Sequence, residues 1–394
     1  MSVFEKILTE SEEYNKILKA VKGEIAPIHV TGITEAEKAH LLYSLFCHTG
    51  KKIFILTAND RSAKKLENDI KPFIYDVVHL KEKELSLRKV DAMGHDALFE
   101  RLKSLYMAKD APVIIASVGS LLQPVTPKDA FDAGTLSFAT GDEYNLPELC
   151  ERLAEIGYVR CDTVEAKGNF ALRGGILDIF SPDSDYPVRM EFFGDEIDTI
   201  RYFDPESQLS TERTESVKII PAEDIDESGS ILSYIPEDWL FCFDEPVRIS
   251  EQAKAIKEDV AERVKTLMEN DLLKEKKDKY INDYACLMAE ISKRQILSLA
   301  ALSLATPDFR PKELLSLTVK SMQPYNGNTE MLTEDILYYR ERKFRIVVMA
   351  GSKERIKAIS EVLFEKGIST TTEETELPER GVVLLMHGSF SGGY

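Results

Sequence analysis

The stretch PVIIASVGSLL, residues 112–122, is a short apolar run rich in Val and Ile, and it decides the fold of the first part of the chain. Two similar runs precede it, PIHVTG at 27–32 and KKIFILTA at 51–58, and a helical pattern follows each, from Glu35 and from Asp60. Apolar runs that alternate with helices are typical of a parallel sheet with helices on both faces. This part of the chain is therefore predicted to be α/β.

Further along the chain, the hydrophobic pattern changes to a period of two. It is visible in GTLSFATG at 134–141, in NFALRGGILDIF at 169–180 and in YPVRMEFFGDEIDTIRYFD at 186–204. Alternation with frequent turn residues predicts an antiparallel sheet, and the segment from Leu146 to Ile156 predicts one short helix against it. We interpret this region as an inserted β-rich α+β domain.

After the insertion, the alternation of apolar runs and helical patterns returns. The run WLFCFDEP at 239–246 predicts a strand that ends in two carboxylates. A long charged helical stretch is expected from Ser250 to about Leu304, as a solvated two-sided helix or a hairpin rather than a coiled coil. The polar segment QPYNGN predicts a link before a last small α/β unit. The predicted domains are a first half (1–125), the insertion (126–222), a second half (223–325) and a small α/β third domain (326–394).

Composition narrows the possible functions. The chain has 394 residues and a formal net charge of -18, which argues against a broad grip on a phosphate backbone. Five cysteines without a C-x-x-C pair suggest neither a disulfide framework nor a zinc site, so no metal is predicted. The acidic, amphipathic beginning and the lack of a long apolar run predict a cytoplasmic protein without membrane contact.

The segment HVTGITEA at 29–36 lies where a phosphate loop would be expected, between a strand and a helix. Laid on the pattern G-x-x-x-x-G-K-[ST], it keeps only the inner Gly32, while Thr34, Glu35 and Ala36 replace the second glycine, the lysine and the metal-binding hydroxyl. An anion in place of the lysine removes an attraction to phosphate and adds a repulsion, each about 4 kcal/mol. The loop is therefore predicted to be degenerate.

The same segment fits a capping box, with Thr34 as N-cap and Glu37 reaching back to it. On this stretch alone, a capped helix without nucleotide ancestry is an equal alternative. FCFDEP favours the degenerate ATPase, because Asp244 and Glu245 follow an apolar strand as the magnesium-holding carboxylates of helicase-type ATPases do. Without a lysine loop, these carboxylates are interpreted as a remnant.

Several segments resemble the module shared by the repair protein UvrB and the bacterial transcription-repair coupling factor family (Mfd). They are GNFALRGGILDIFSP, YPVRMEFFGDEIDTIRYFDPESQLS and VKIIPAEDI, together with the degenerate loop, DEP at 244–246, YNGNTEML at 325–332 and the closing GSFSGGY. UvrB has an intact lysine loop and a long β-hairpin, for which the segment at 91–117 leaves no room. The resemblance therefore favours the coupling factors.

The resemblance implies a degenerate helicase-like P-loop (RecA-like) fold in two halves, with an inserted domain that binds UvrA and a small third domain. It also implies that RNA polymerase and duplex DNA are bound by domains absent from this chain, which is expected to be an N-terminal fragment. A naturally short protein is the alternative. No ATP or other cofactor is expected here.

Carried over by position, the resemblance implies UvrA-binding residues on the β-rich domain. Arg160 and Arg173 match arginines of UvrB, whereas Ala171 departs from an arginine there. The neighbouring candidates by alternation are Asp178, Phe180, Arg189, Glu191 and Phe193. A structural alternative pairs Arg173 with Asp178 and Arg189 with Glu191, and places the phenylalanines and Trp239 in the core.

Three functions therefore stand beside one another. The first is a non-catalytic module that recruits UvrA during transcription-coupled nucleotide excision repair. The second is an active UvrB-like ATPase that handles damaged DNA, against which Glu35 argues. The third is a fragment that grips duplex DNA itself, against which the negative charge argues.

Overall fold

The structure is a computed structural model that describes residues 3–83, 85, 87, 95–277, 279–302, 306–322, 325, 327–372, 377–388 and 393. The DAMG segment at 91–94 and most of the closing GSFSGGY lie outside these residues. The helices are α1 (Val3–Ile7), α2 (Glu12–Lys22), α3 (Glu35–Thr49), α4 (Asp60–Ile70), α5 (Asp96–Ala108), α6 (Val118–Leu122), α7 (Lys128–Gly134), α8 (Leu146–Glu155), α9 (Pro246–Glu269), α10 (Tyr284–Ile291), α11 (Thr329–Glu341) and α12 (Lys353–Glu365).

Within the described residues, the strands form four sheets. They are β1 (Ile28–Thr31), β2 (Ile53–Thr57), β3 (Val77–Leu80), β4 (Val113–Ser117), β5 (Leu136–Ala139), β6 (Val159–Arg160), β7 (Asn169–Arg173), β8 (Ile176–Ile179), β9 (Val188–Phe193), β10 (Glu196–Phe203), β11 (Ser210–Thr214), β12 (Ser216–Ile219), β13 (Leu240–Asp244), β14 (Gln295–Ala300), β15 (Glu313–Ser316), β16 (Ile346–Ala350), β17 (Thr370–Thr371) and β18 (Val383–His387).

The first sheet is parallel and has the strand order β15-β1-β14-β13-β2-β4-β3. Strands β2 and β4 are fully buried because both faces of the sheet are covered. Phe54 and Leu56 join one hydrophobic core, whereas Ile53 and Ile55 join the core on the opposite face. The expected α/β architecture is confirmed: strands from two separate parts of the chain form one parallel sheet, a β-rich segment is inserted between these parts, and a small α/β unit follows.

The central strands come from both sides of the insertion. Strand β13 lies between β2 and β14, and β14 separates β13 from β1. Since all these strands run in one direction, the carboxyl ends of β1 and β13 lie at the same edge of the sheet. That edge therefore brings the degenerate loop after β1 close to Asp244 and Glu245.

The helical stretch expected from Ser250 to about Leu304, a two-sided helix or a hairpin, agrees with α9 and α10 but is wrong at Gln295–Ala300, which form β14. A second helix, α10, follows, and then β14 becomes a buried strand between β1 and β13. The run QILSLA is short and apolar, and pairing on both sides satisfies its backbone inside the core. Because this run follows a long charged stretch, the sequence pattern did not predict a strand there.

The second sheet carries the insertion, with strand order β11-β10-β9-β8-β7-β6. Strands β7 to β11 pair antiparallel as predicted, but β6 pairs parallel with β7, and β5 pairs separately with β12. The predicted short helix is α8, and Trp239 is buried as expected.

The small third unit is a parallel sheet of order β16-β18-β17, packed by α11 and α12 around Leu332, Ile336 and Leu363. Among the described helices, none combines the length and the apolar character needed to cross a membrane. The domain boundaries stay predictions.

Candidate functional site

The loop after β1 is closed by its own side chains. Thr34 is the N-cap of α3, and the Glu37 carboxylate accepts both the backbone N–H of Thr34, at 2.6 Å, and its hydroxyl. The predicted capping box is confirmed. The backbone N–H of Thr34, at the start of α3, therefore has a partner within the chain.

The retained glycine has a packing explanation. Gly32 has a φ of 80°, and a Cβ atom at this position would lie 2.8 Å from the carbonyl oxygen of Leu317. Only glycine accepts both conditions without strain. Glu35, at the position of the phosphate-binding lysine, is exposed and forms an ion pair with Lys65 of α4. Ala36 lies in the first turn of α3.

The two carboxylates at the end of β13 are held by a buried lysine. Nζ of Lys38 in α3 lies 2.6 Å from Oδ1 of Asp244 and 2.8 Å from Oε1 of Glu245, and its side chain is 3% exposed. Burial lowers the pKa of Lys38, but the charges of Asp244 and Glu245 outweigh burial, so that its pKa is raised. Lys38 is therefore a charged partner of both carboxylates.

Lys38 is a residue that the sequence reasoning missed. Its partners lie 206 and 207 positions further along the chain, so no local pattern connects them. The available signal was a single lysine one turn into α3, directly before the mostly apolar segment AHLLYSLF at 39–46. A buried lysine in such a place requires an anionic partner.

The cleft between α3 and the end of β13 has a volume of about 120 Å³. Its polar lining consists of Thr34, Glu35, Lys38, Ser62, Asp244, Glu245 and Arg248. Pockets that hold drug-sized ligands usually enclose about 300–1,000 Å³. Among the described residues, no group of three or more His, Cys, Asp or Glu side chains is placed to hold a metal ion.

These residues do not fit a magnesium–nucleotide group. The carboxylates that would approach the metal already contact the Lys38 ammonium, and the Thr34 hydroxyl donates to Glu37. The position of the phosphate-binding lysine carries an anion, Glu35.

The second candidate site is the outer face of the inserted sheet. Leu177, Met190 and Ile200 are neighbours across β8, β9 and β10 and point into the core. The residues that alternate with them point outward. This arrangement brings Arg173, Asp178, Arg189, Glu191 and Phe193 together on one face, as the sequence alternation predicts.

Asp178 is the centre of this face and is 0% exposed. It accepts from Nη2 of Arg173 at 2.6 Å and from Nε and Nη2 of Arg189 at 2.7 and 2.9 Å. The hydrogen bonds that Arg189 donates to Asp178, together with the negative charge of Asp178, raise the pKa of Arg189 against the opposing effect of burial. Asp178 therefore positions two arginines and is not itself available to a partner.

The predicted alternative pairs are half right. Arg173 does pair with Asp178, but Arg189 pairs with Asp178 instead of Glu191. Asp178 lies directly opposite Arg189 across the strands, which brings their side chains closer than two positions along one strand. Glu191 pairs with Arg201, a residue that the sequence reasoning did not select.

The two phenylalanines have opposite environments. Phe193, at the end of β9, is 84% exposed, whereas Phe180 is buried with Val164, Ala171 and Phe203. The prediction that Phe180 contacts a partner is corrected, since segment 161–164 covers the small apolar cluster to which it belongs. Phe193 remains a candidate anchor.

Arg160 lies apart from the other candidates. It is exposed on the edge strand β6 and is the register partner of Phe170, which points into the core. The register therefore places Arg160 and Arg173 on opposite faces of the sheet. In contrast, Arg189, Arg201 and Arg213 form a row across β9, β10 and β11 on the outer face.

A comparison with known protein families identifies the segment that contains the inserted sheet. Residues 136–224, from the start of β5 to just beyond β12, match the UvrB interaction domain family. Two solved structures align along most of the chain with low TM-scores. They are a hypothetical ATP-dependent RNA helicase from Sulfolobus tokodaii (TM-score 0.28, 10% identity, 98% of this chain and 82% of that chain) and XPD_Helicase (0.30, 9%, 98% and 80%).

Curated relatives are similar along the whole chain. The transcription-repair-coupling factor of Bacillus subtilis strain 168 is 22% identical over 467 aligned residues, covering 100% of this chain and 39% of the relative. That of Staphylococcus haemolyticus strain JCSC1435 is 23% identical over 439 residues, covering 93% of this chain and 37% of the relative. The chain thus spans less than half the length of these relatives.

Full-length similarity and the domain match agree with the resemblance in the sequence motifs. The chain is related over its whole length to the N-terminal region of the transcription-repair-coupling factors and contains, at residues 136–224, a match to the UvrB interaction domain.

Proposed function

We propose that this chain is a non-catalytic module that recruits UvrA in transcription-coupled nucleotide excision repair, and that it binds UvrA through the outer face of the inserted sheet. The observation that carries the proposal is the match of residues 136–224 to the UvrB interaction domain. The names of the relatives support the repair context. RNA polymerase and duplex DNA are partners that we assign to parts of such proteins beyond this chain.

Arg173 is the proposed anchor of the contact. Its side chain is 45% exposed, and its guanidinium is already oriented by Asp178 and by the carbonyl oxygen of Asp162 at 2.9 Å. An arginine whose position is fixed before binding loses less side-chain entropy on association. Arginines and exposed aromatic rings are frequent anchors of protein interfaces. Phe193, on the same face, would supply the apolar contact.

The other candidate residues would either contact UvrA directly or stabilise the face that does. Glu191, Arg201 and Arg213 line the outer face and would meet complementary charges on UvrA. Asp178 and Phe180 are buried and would act only by holding that face in shape. Arg160 would contribute only if UvrA also reaches the β6 edge of the sheet.

The non-catalytic part of the proposal has separate support. Glu35 replaces the phosphate-binding lysine, Lys38 holds Asp244 and Glu245, and the remaining cleft is about 120 Å³. Together, these features argue against binding of a nucleoside triphosphate, which requires more space and a positive charge near its phosphates. We therefore propose that no ATP is bound or hydrolysed by these residues.

Two measurements test the proposed function. Immobilised chain is expected to retain purified UvrA, and absence of retention would contradict recruitment. Labelled ATP with magnesium is expected neither to bind in the micromolar range nor to turn over. ATP turnover that disappears in Asp244→Ala would favour the alternative, an active UvrB-like ATPase.

A further inference from the structure

The Lys38 ammonium lies at the place where a metal-dependent ATPase would need a cation. Its Nζ atom contacts one oxygen of Asp244 and one of Glu245, at 2.6 and 2.8 Å. Carboxylates at the carboxyl end of a parallel strand are the oxygen ligands that Mg²⁺ takes in phosphate-binding sites. The lysine therefore satisfies two carboxylates that would otherwise repel each other.

The backbone around the two carboxylates is set independently of Lys38. Glu245 has a φ of 60°, a left-handed conformation that costs a non-glycine residue free energy and is kept only when its surroundings enforce it. Its backbone N–H donates to the carbonyl oxygen of Leu299 at 2.9 Å, and its Oε1 accepts the N–H of Ala301 at 3.0 Å. The end of β13 and the start of α9 thus hold Glu245 from the side of β14.

We propose that Lys38 is a built-in cation that replaces Mg²⁺ at Asp244 and Glu245, and that removing its charge uncovers a divalent-cation site. In a nucleotide-binding ATPase the corresponding contact would pass through the metal and its phosphates. Here it joins α3 directly to β13, two segments 206 positions apart. The two parts of the domain are therefore held together without any ligand.

The inference deepens the non-catalytic part of the proposed function and rests on it. The charged groups that face the cleft are Glu35, Lys38, Asp244, Glu245 and Arg248. Without the Lys38 charge, three carboxylates face one arginine, and Glu35 is already paired with Lys65. A divalent cation that completes its shell with water would restore the balance.

The test is thermal melting of the full chain without nucleotide, in millimolar MgCl₂ or in NaCl of equal ionic strength. The variants are Lys38→Met, which keeps the length of the side chain and removes its charge, and Lys38→Met with Asp244→Asn and Glu245→Gln. We expect Lys38→Met to lower the melting temperature by about 10 °C, because breaking a buried ion pair is strongly destabilising. MgCl₂ is expected to recover part of that loss, and NaCl is not.

The wild type and the triple variant are expected to show no specific response to MgCl₂. A Lys38→Met variant that melts like the wild type, or that gains nothing from MgCl₂, would overturn the inference. If Lys38→Met does not fold, Lys38→Gln is titrated with Mn²⁺, and the electron paramagnetic resonance signal of free Mn²⁺ measures binding. The inference requires that Lys38→Gln binds Mn²⁺ and that the wild type does not. None of these measurements involves UvrA, so a negative result would overturn the cation-site inference without contradicting the proposed recruitment of UvrA.

Discussion

The guanidinium of Arg173 donates a hydrogen bond of 2.6 Å to Oδ2 of Asp178, although Arg173 is half exposed and Asp178 is fully buried. Arg173 thus supports the structure through Nη2, which donates to Asp178, and through Nη1, which donates to the carbonyl oxygen of Asp162, while its side chain stays 45% exposed. Support for the sheet and contact with a partner are therefore compatible roles for Arg173. They can be separated by the choice of substitution.

Arg173→Gln is expected to weaken UvrA binding by roughly 30-fold or more, about 2 kcal/mol, because a fixed interface arginine is lost. Its free energy of unfolding should fall by only about 1 kcal/mol, since Arg189 still neutralises Asp178. Arg173→Glu should also abolish binding, but it would place a new carboxylate beside buried Asp178 and cost more stability. Urea unfolding and a UvrA titration on each variant measure both effects.

The matched control for these variants is Arg263→Gln. Arg263 lies on α9, has a similarly exposed side chain at 47%, and pairs with Asp259. It lies outside the inserted sheet and should leave both UvrA affinity and stability unchanged. Equal loss of UvrA binding in Arg173→Gln and Arg263→Gln would indicate a non-specific charge effect.

Asp178→Asn is expected to destabilise the chain by about 3–5 kcal/mol, because two arginine side chains would lose their buried anionic partner. The change should appear as a lower urea midpoint of unfolding. A midpoint equal to that of the wild type would show that Asp178 does not organise this face.

Phe193→Ala and Phe180→Ala are expected to have opposite effects. Phe193 is exposed, so its truncation should weaken UvrA binding at least tenfold, more than about 1 kcal/mol, with little change in stability. Phe180 is buried, so its truncation should lower the free energy of unfolding by about 3–5 kcal/mol. Calorimetry and UvrA titration of both variants check this contrast. A destabilised Phe193→Ala that binds UvrA normally would exclude the anchor role.

The buried imidazole of His79 predicts a pH dependence of stability. Burial lowers the pKa of His79, but the hydrogen bond with Glu67 and the negative charges of Asp60 and Glu67 outweigh burial and raise the pKa above its ordinary value. The stabilisation from its charged form is therefore complete below the unfolded pKa, about 6.5, and is lost as the pH rises through the folded pKa.

The stability advantage of the wild type over His79→Asn should therefore shrink as the pH rises above about 6.5, as measured by urea unfolding. Below that pH other histidines also titrate, since burial lowers the pKa of His40 to about 4 and that of His29 below its ordinary value. An advantage that stays constant or grows above about pH 6.5 would contradict the assigned charge of His79.

The sequence alone predicted the features that depend on residues close together in the chain. Fully buried runs such as those of β2 and β4 predict parallel strands, and Thr34 with Glu37 predicts a capped helix start, because each pattern is complete within a few residues. Phe193 could be placed on the outer face from alternation with its neighbours.

Features that depend on distant pairing were beyond the sequence. The Lys38 pair with Asp244 spans 206 positions, and β14 becomes a strand only because β1 and β13 enclose it. Asp178 draws Arg189 away from Glu191 because register brings them opposite each other. Alternation gives the face of a residue but not its burial, which is why Phe180 was misassigned.

Titration of purified UvrA with the wild-type chain, Arg173→Gln and Arg263→Gln tests the central claim most directly. The account predicts a saturable complex for the wild type and for Arg263→Gln, and roughly 30-fold or more weaker binding for Arg173→Gln, with all three proteins folded at the temperature used. The account would be contradicted if the wild type formed no complex with UvrA, or if folded Arg173→Gln bound UvrA as tightly as the wild type.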